Sequence, residues 1–190
     1  NDLRGLVFSD SHSNNPLREI TFGAKLNSEK LDQGWSVILP DGNRGWTHSN
    51  LLDHHIHPNR DNAITIGNRF KGVQYLWGGK SPKGFDCSGL IQTIYSAMGI
   101  FIPRDSGDQS HYFIHHKINR KEAQPGDLHF FGTEKSVTHV AMEIEQGQYL
   151  HCQGWVKEES FDRNKSNYNK NLETNYLHTV STERCLNQNH

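Results

Sequence analysis

Long apolar runs are missing from this 190-residue chain, and so is any excess of charge. No stretch of 18 or more apolar residues occurs, so no segment reads as a bilayer-spanning helix. Twenty basic residues against 21 acidic ones leave a formal net charge of −1. A chain so balanced carries no basic field to hold nucleic acid or an anionic membrane. Cysteine is scarce. Cys87, Cys152 and Cys185 are too few and too scattered for a disulfide scaffold or a paired-cysteine zinc site, and their odd number leaves at least one thiol free. Cys152 and Cys185 are either a pair in an oxidising compartment or two small buried strand residues, the second being the simpler reading. Cys87 is the candidate for the free one. The chain opens at Asn1 without an initiator methionine or a charged-then-apolar leader, so the expectation is a processed mature form or a chain whose leader was removed. What is present, 33% hydrophobic and 22% charged, describes a soluble globular protein. Its length suits one ordinary domain, or a small module with a medium one.

The first fifty-odd residues carry β-formers in short runs and no helical period. LREITF (17–22), GAKL (23–26), GWSVIL (34–39) and GWTHS (45–49) read as strands, and PDGNRG (40–45) as the turn of a hairpin, with Asp41-Gly42 supplying the backbone freedom. A small barrel over 1–55 fits. The spacing of Gly34-Trp35, Asp41-Gly42 and Gly45-Trp46 resembles the bacterial SH3-like domains that accompany cell-wall enzymes. DHHIHPNRDN (53–62) is polar and reads as connector, with 56–66 the linker and 67–190 a second domain. His54, His55 and His57 lack a carboxylate or thiol at ligand spacing, so a solvated connector is preferred to a metal site, and no metal or other cofactor is called for.

After the connector the period changes. Apolar residues at Leu90, Ile91, Ile94 and Met98 fall at helical spacing from Cys87, and Gly99 follows as a stop. Pro125-Gly126-Asp127 turns into LHFF (128–131), then HVAMEIE (139–145) and QYLHC (148–152) alternate as strands, and YLHTVST (176–182) adds a closing one. A helix followed by antiparallel strands is an α+β layout.

Asp86 is a good N-cap, which puts Cys87 in the first turn of that helix. Unpaired backbone N–H groups and the helix dipole favour an anion there, lowering a thiol pKa, and the same N–H groups suit an oxyanion. The glycine-rich YLWGGKSPKG (75–84) lets a substrate approach closely. A thiolate needs an imidazole to share its proton. Among 13 histidines, His139 lies on the less apolar face of its strand with Ala141 and Glu143, opposite Val140, Met142 and Ile144. A three-residue loop at Glu145, Gln146 and Gly147, with Gly147 left-handed, would pair Ala141 with His151. Both imidazoles would then share one face, and His151 would hold the His139 ring as a carboxylate or asparagine does in other triads. The residues leave open a second reading, a core cysteine and two strand histidines satisfied by hydrogen bonds.

Taken together, YLWGG…FDCSGL, PRDSGDQS (103–110), QPGDLHFF (124–131) and THVAMEIE…YLHCQG resemble the NlpC-type (p-sixty) peptidases, papain-like bacterial endopeptidases of peptidoglycan, over roughly 70–155 with all motifs in order. The resemblance implies a papain-like catalytic domain behind an SH3-like barrel, a triad of Cys87, His139 and His151, and a Tyr75 hydroxyl at the oxyanion site. It implies cleavage between D-glutamate, linked through its side chain, and the following diamino acid of a wall peptide with a free N-terminal L-alanine. The free amine would be held by Asp86 and Ser88, with Ser106 and Trp77 lining the same pocket and Arg104 in the same loop, although Asp86 also serves as helix cap. It further implies a monomer acting on muropeptides in the bacterial envelope, or in cytoplasmic recycling. Two alternatives accompany it: a wall-binding module without activity, and a cysteine amidase or acyltransferase, which should show a broad apolar groove.

Overall fold

A computed structural model of the chain describes residues 3–48 and 56–186. Ser49 of the fourth expected strand, and Asp53, His54 and His55 of the polar segment, lie outside the described residues. The chain divides into two compact units, Asn1–His55 and Ile56–His190.

The first unit is a five-stranded antiparallel sheet, compatible with the small SH3-like barrel. Its strands are β1 (Arg4–Phe8), β2 (Pro16–Thr21), β3 (Asn27–Lys30), β4 (Trp35–Ile38) and β5 (Arg44–Thr47), in the order β2-β1-β5-β4-β3. Val7, Val37 and Leu39 form its core, with Ile20, Leu26 and Trp35 packed against them. One strand is not where the sequence suggested. Residues 23–26 are not a strand, because Gly23 takes φ 82° and the Ala24 N–H closes a turn on the Thr21 carbonyl at 3.0 Å, so pairing resumes only at Asn27. Strand β1, with its alternating burial, went unread.

The second unit opens with a helix where a linker was expected. Helix α1 spans Arg60–Arg69, beginning inside the 56–66 segment. Asn59, following Pro58, caps it by accepting from the Asn62 N–H, and Ala63, Ile66 and Gly67 are its buried residues. The polar composition of the segment belongs to the outer face of an amphipathic helix, which is why it looked like connector. A two-stranded ribbon, β6 (Lys80–Ser81) and β7 (Gly84–Phe85), leads into α2 (Cys87–Ala97). Then come α3 (Ser106–Tyr112), β8 (Lys117–Ile118), β9 (Leu128–Thr133), β10 (Ser136–Glu145), β11 (Gln148–Gln153), β12 (Trp155–Ser160), α4 (Lys170–Thr174), β13 (Tyr176–Val180) and α5 (Glu183–Leu186). The large sheet runs β12-β11-β10-β9-β13-β8, and its neighbouring strands pair antiparallel. This is the expected α+β arrangement.

Helix α2 lies against β10 and β11. Leu90, Ile91 and Ile94, the residues whose spacing announced the helix, are fully buried. Each contributes about 1.5–3 kcal/mol by leaving water. The helix ends as read, with Met98 at the C-cap and Gly99 at φ 78°.

The β10–β11 hairpin reaches the expected register by a different route. Met142 faces Leu150 and Glu143 faces Tyr149, which sets Ala141 level with His151. The turn itself is the two-residue Gln146-Gly147, with Gly147 at φ 75°, and Glu145 pairs with Gln148. The odd residue is taken up as a bulge between Glu143 and Glu145 rather than as a longer loop. The bulge is held by Glu143, whose carboxyl accepts from the Gly147 N–H at 2.6 Å. A bulge shifts register by one as surely as a loop residue does, so the two histidines still share a face.

Candidate active site

The first turn of α2 presents Cys87, and the sequence shows why. Asp86 stands just before the helix with an extended backbone, and its Oδ1 accepts from the Gly89 N–H at 2.7 Å. That leaves the Cys87 and Ser88 N–H groups outside the cap, beside the thiol. Cys87 is 8% exposed and lines a cavity of about 410 Å³. Tyr75 and His139 line it too, as do Thr133, Thr138 and Cys152.

His139 and His151 meet as the register requires. His139 Nε2 lies 2.8 Å from His151 Nδ1, with the rings nearly perpendicular. His139 is half-buried and opens on the cavity, whereas His151 is fully buried. The bond uses Nε2, so Nδ1 is the His139 nitrogen left for the reacting groups.

The charge state of the site differs from the one the helix terminus alone suggested. Burial pushes the Cys87 thiol above its ordinary 9.0, Asp86 adds to this, and hydrogen bonds from the backbone at Val140, Ser88 and Cys87 only partly oppose it. Burial, and then the neighbouring His151, push His139 down to about 3. Burial likewise lowers His151. Both shifts favour the uncharged forms, thiol and neutral imidazole, because a desolvated site penalises each charge. Alkylation of Cys87 by iodoacetamide should accelerate as pH climbs toward and past 9, the ordinary thiol value. The Cys87→Ala protein serves as the blank. A rate that levels off at mildly acidic pH would show a preformed ion pair instead.

Tyr75, on the cavity rim, has its phenol raised by burial first and then by the proximity of Cys87 and Asp86, so it stays a neutral donor. Its backbone is fixed by the N–H bond to the Gly154 carbonyl at 2.8 Å.

Asp86, Ser88 and Arg104 gather, but as a closed cluster. Arg104 grips Asp86 with Nη1 to Oδ1 at 3.0 Å and Nη2 to Oδ2 at 2.5 Å, and reaches Ser88 Oγ at 3.0 Å. Asp86 also accepts from the N–H groups of Gly78 and Gly89 and from the Ser88 hydroxyl. Burial works against the Asp86 carboxylate, yet Arg104 and the two backbone donors hold it below its usual value. The carboxylate expected to receive a substrate ammonium is thus paired with the Arg104 guanidinium and accepts from three further donors. Gln109 completes the brace, donating from Nε2 to the Ser88 and Pro103 carbonyls. Ser106 begins α3 and is half-buried, and Trp77 is 87% exposed; neither lines the cavity with Cys87.

Three features went unread. Cys152 shares the cavity with Cys87, is fully buried, and bonds the Phe85 carbonyl through its sulfur at 3.1 Å. Cys152 and Cys185 are both free thiols. Asn171, Leu172 and Asn175, from α4 and its C-terminal end, form another wall of the cavity, which no local motif signalled. His129, in the LHFF strand, is buried between Thr179 at 2.8 Å and Glu143 at 2.6 Å. Its partner was legible in one respect, since Glu143 shares the His139 face of β10.

A thiol at a helix start, an imidazole pair on an antiparallel sheet and a shared cavity can be set beside known proteins. The sequence profile of the NlpC/P60 family matches residues 72–179. The chain belongs to the NlpC/P60 family. It is 37% identical, over 143 residues, to a Bacillus cereus protein named gamma-D-glutamyl-L-lysine dipeptidyl-peptidase, a match covering 70% of this chain and 42% of that one. The crystal structure of an NlpC/P60 family protein from Bacillus cereus aligns with a TM-score of 0.76 at 30% identity, over 93% of this chain and 60% of that one. RipD from Mycobacterium tuberculosis, described as a non-catalytic NlpC/p60 domain protein adapted to peptidoglycan binding, aligns with a TM-score of 0.52 at 25% identity, over 69% of this chain and 99% of that one. The chain spans less than half of the first relative and less than two thirds of the first structure. Among the described residues, no helix is long and apolar enough to cross a membrane.

Proposed function

We propose that the chain is a cysteine endopeptidase that hydrolyses the γ-D-glutamyl–diamino acid bond of peptidoglycan stem peptides bearing a free N-terminal L-alanine. The observation that carries this is the opening of Cys87 and His139 onto one cavity, with His139 tied to His151 at 2.8 Å. Family membership and the name of the Bacillus cereus relative supply the substrate class. The polar walls of the cavity, with Thr133, Thr138, Gln153, Asn171 and Asn175, suit a peptide rather than the acyl chain of a lipid.

In this reading the Cys87 sulfur attacks the scissile carbonyl carbon as its proton passes to His139 Nδ1. The Cys87 and Ser88 N–H groups and the Tyr75 hydroxyl hold the resulting oxyanion. Collapse breaks the C–N bond, His139 returns the proton to the departing α-amine, and a thioester remains. Water, deprotonated by His139, attacks the thioester, releasing the D-glutamyl carboxyl group and restoring the thiol. Asp86 and Arg104 brace the helix start, and Asp86 with Ser88 is the proposed partner of the free N-terminal amine. Peptidoglycan peptides as substrate suit a role in the bacterial envelope or in cytoplasmic recycling of released fragments.

The test is mass spectrometry of products from L-Ala-γ-D-Glu-L-Lys. The expected products are L-Ala-D-Glu and free L-Lys, with slower release from the N-acetylated peptide. Cleavage after L-Ala, or an unchanged peptide, would overturn the proposal.

A further inference from the structure

The His139–His151 pair does not end at His151. Its outer nitrogen, Nε2, is fully buried and lies 3.1 Å from Glu159 Oε2, off the line of an ideal hydrogen bond and with no other partner. Glu159 stands on β12, where Lys157 faces His151 and Glu159 faces Tyr149, so the carboxylate reaches the imidazole along the strand diagonal. Lys157 Nζ holds Glu159 Oε1 at 2.6 Å, and the Asn169 side-chain amide donates to Oε2. Burial opposes this carboxylate, but the neighbouring His151 and the bonds from Lys157 and Asn169 hold it down to about 2. It is an anion at neutral pH and can only accept.

That single constraint propagates through the chain of rings. An acceptor at Glu159 requires the proton of neutral His151 on Nε2, since a lone pair there would face a carboxylate. His151 Nδ1 is then bare and accepts, so the proton in the 2.8 Å bond belongs to His139 Nε2. A neutral His139 protonated at Nε2 has a free lone pair at Nδ1, the nitrogen left for the Cys87 proton. The opposite sense would block that nitrogen with its own hydrogen. A wrong tautomer in an otherwise intact triad is among the most damaging changes such a site can suffer.

We propose that Glu159 is a positioning residue that sets the tautomers of His151 and His139 and so presents His139 Nδ1 as the base. Asn169, which also caps α4 by accepting from the Leu172 N–H at 3.0 Å, couples the same carboxylate to the cavity wall that carries Asn171 and Leu172.

The turnover arm of the test rests on the proposed peptidase reading, and the spectroscopic arm does not. Long-range ¹⁵N spectra of histidine-labelled wild type should show His139 protonated at Nε2 and bare at Nδ1, with signals assigned by comparison with His139→Gln and His151→Gln. In Glu159→Gln the amide can donate to His151 Nε2 and reverse the chain. The Nδ1-protonated form of His139 should then appear, with kcat reduced roughly 10–100-fold and KM within about twofold. A wild-type His139 protonated at Nδ1 would overturn the proposal without any variant. So would a Glu159→Gln protein whose tautomers or kcat match wild type. A wild type that shows the expected tautomers but cleaves no stem peptide would count against the peptidase reading alone.

Discussion

Cys87→Ala removes turnover of L-Ala-γ-D-Glu-L-Lys, lowering kcat by at least roughly 10⁴-fold while leaving peptide binding close to wild type. The size of the effect follows from what remains. Without the sulfur, the Cys87 and Ser88 N–H groups, Tyr75 and the cavity walls can still hold the peptide, but no atom forms the thioester. His139 alone is a weak base, since burial and His151 press it down to about 3. Alanine costs the fold little, because it favours the helix and removes only a sulfur atom beside an existing cavity. The loss should therefore be chemical, visible as absent products by mass spectrometry with an unchanged circular dichroism melt. Residual cleavage above about one per cent of wild type would mean that another group is the nucleophile. Cys152, in the same cavity, is then the first to examine.

Gly89→Ala strikes the same site through packing. A Cβ at Gly89 would stand 2.1 Å from the Gly79 carbonyl oxygen and 2.9 Å from Asp86 Oδ1. The first contact is with backbone, so the start of α2 and the 75–84 loop must separate. Overpacking of this kind costs about 1–3 kcal/mol. The movement also pulls Cys87 away from Tyr75 and His139, and a displacement of about 1 Å in such a site costs on the order of 10²-fold in rate. Both the thermal midpoint and kcat/KM should fall. A protein with wild-type melting and turnover would show that the loop and helix are not held as closely as this contact requires. The glycine of the FDCSGL motif is thus a steric requirement of the helix start that seats Cys87, independent of any catalytic role.

Much of the site was legible along the chain because its signals are local. Asp86 before an apolar helical period identifies a capped helix with Cys87 in its first turn. Strand alternation puts His139 on one face, and a shift of one residue at the turn brings His151 to the same face. That shift came from a bulge rather than a loop residue, since Glu143 reaches back to the Gly147 N–H, a bond no pattern announces. The polar stretch at 56–66 misled for the converse reason, because an amphipathic helix buries only a few of its residues.

From its order of residues alone, the protein declares the helix that seats Cys87, the hairpin that pairs its histidines and the family to which both belong. Tertiary structure alone decides the protonation of those groups, the engagement of Asp86 by Arg104 and the reach of Glu159 to His151. Periodicity and caps are written within a few residues of backbone. Desolvation and charge are sums over atoms that meet only when distant strands and loops close around a cavity.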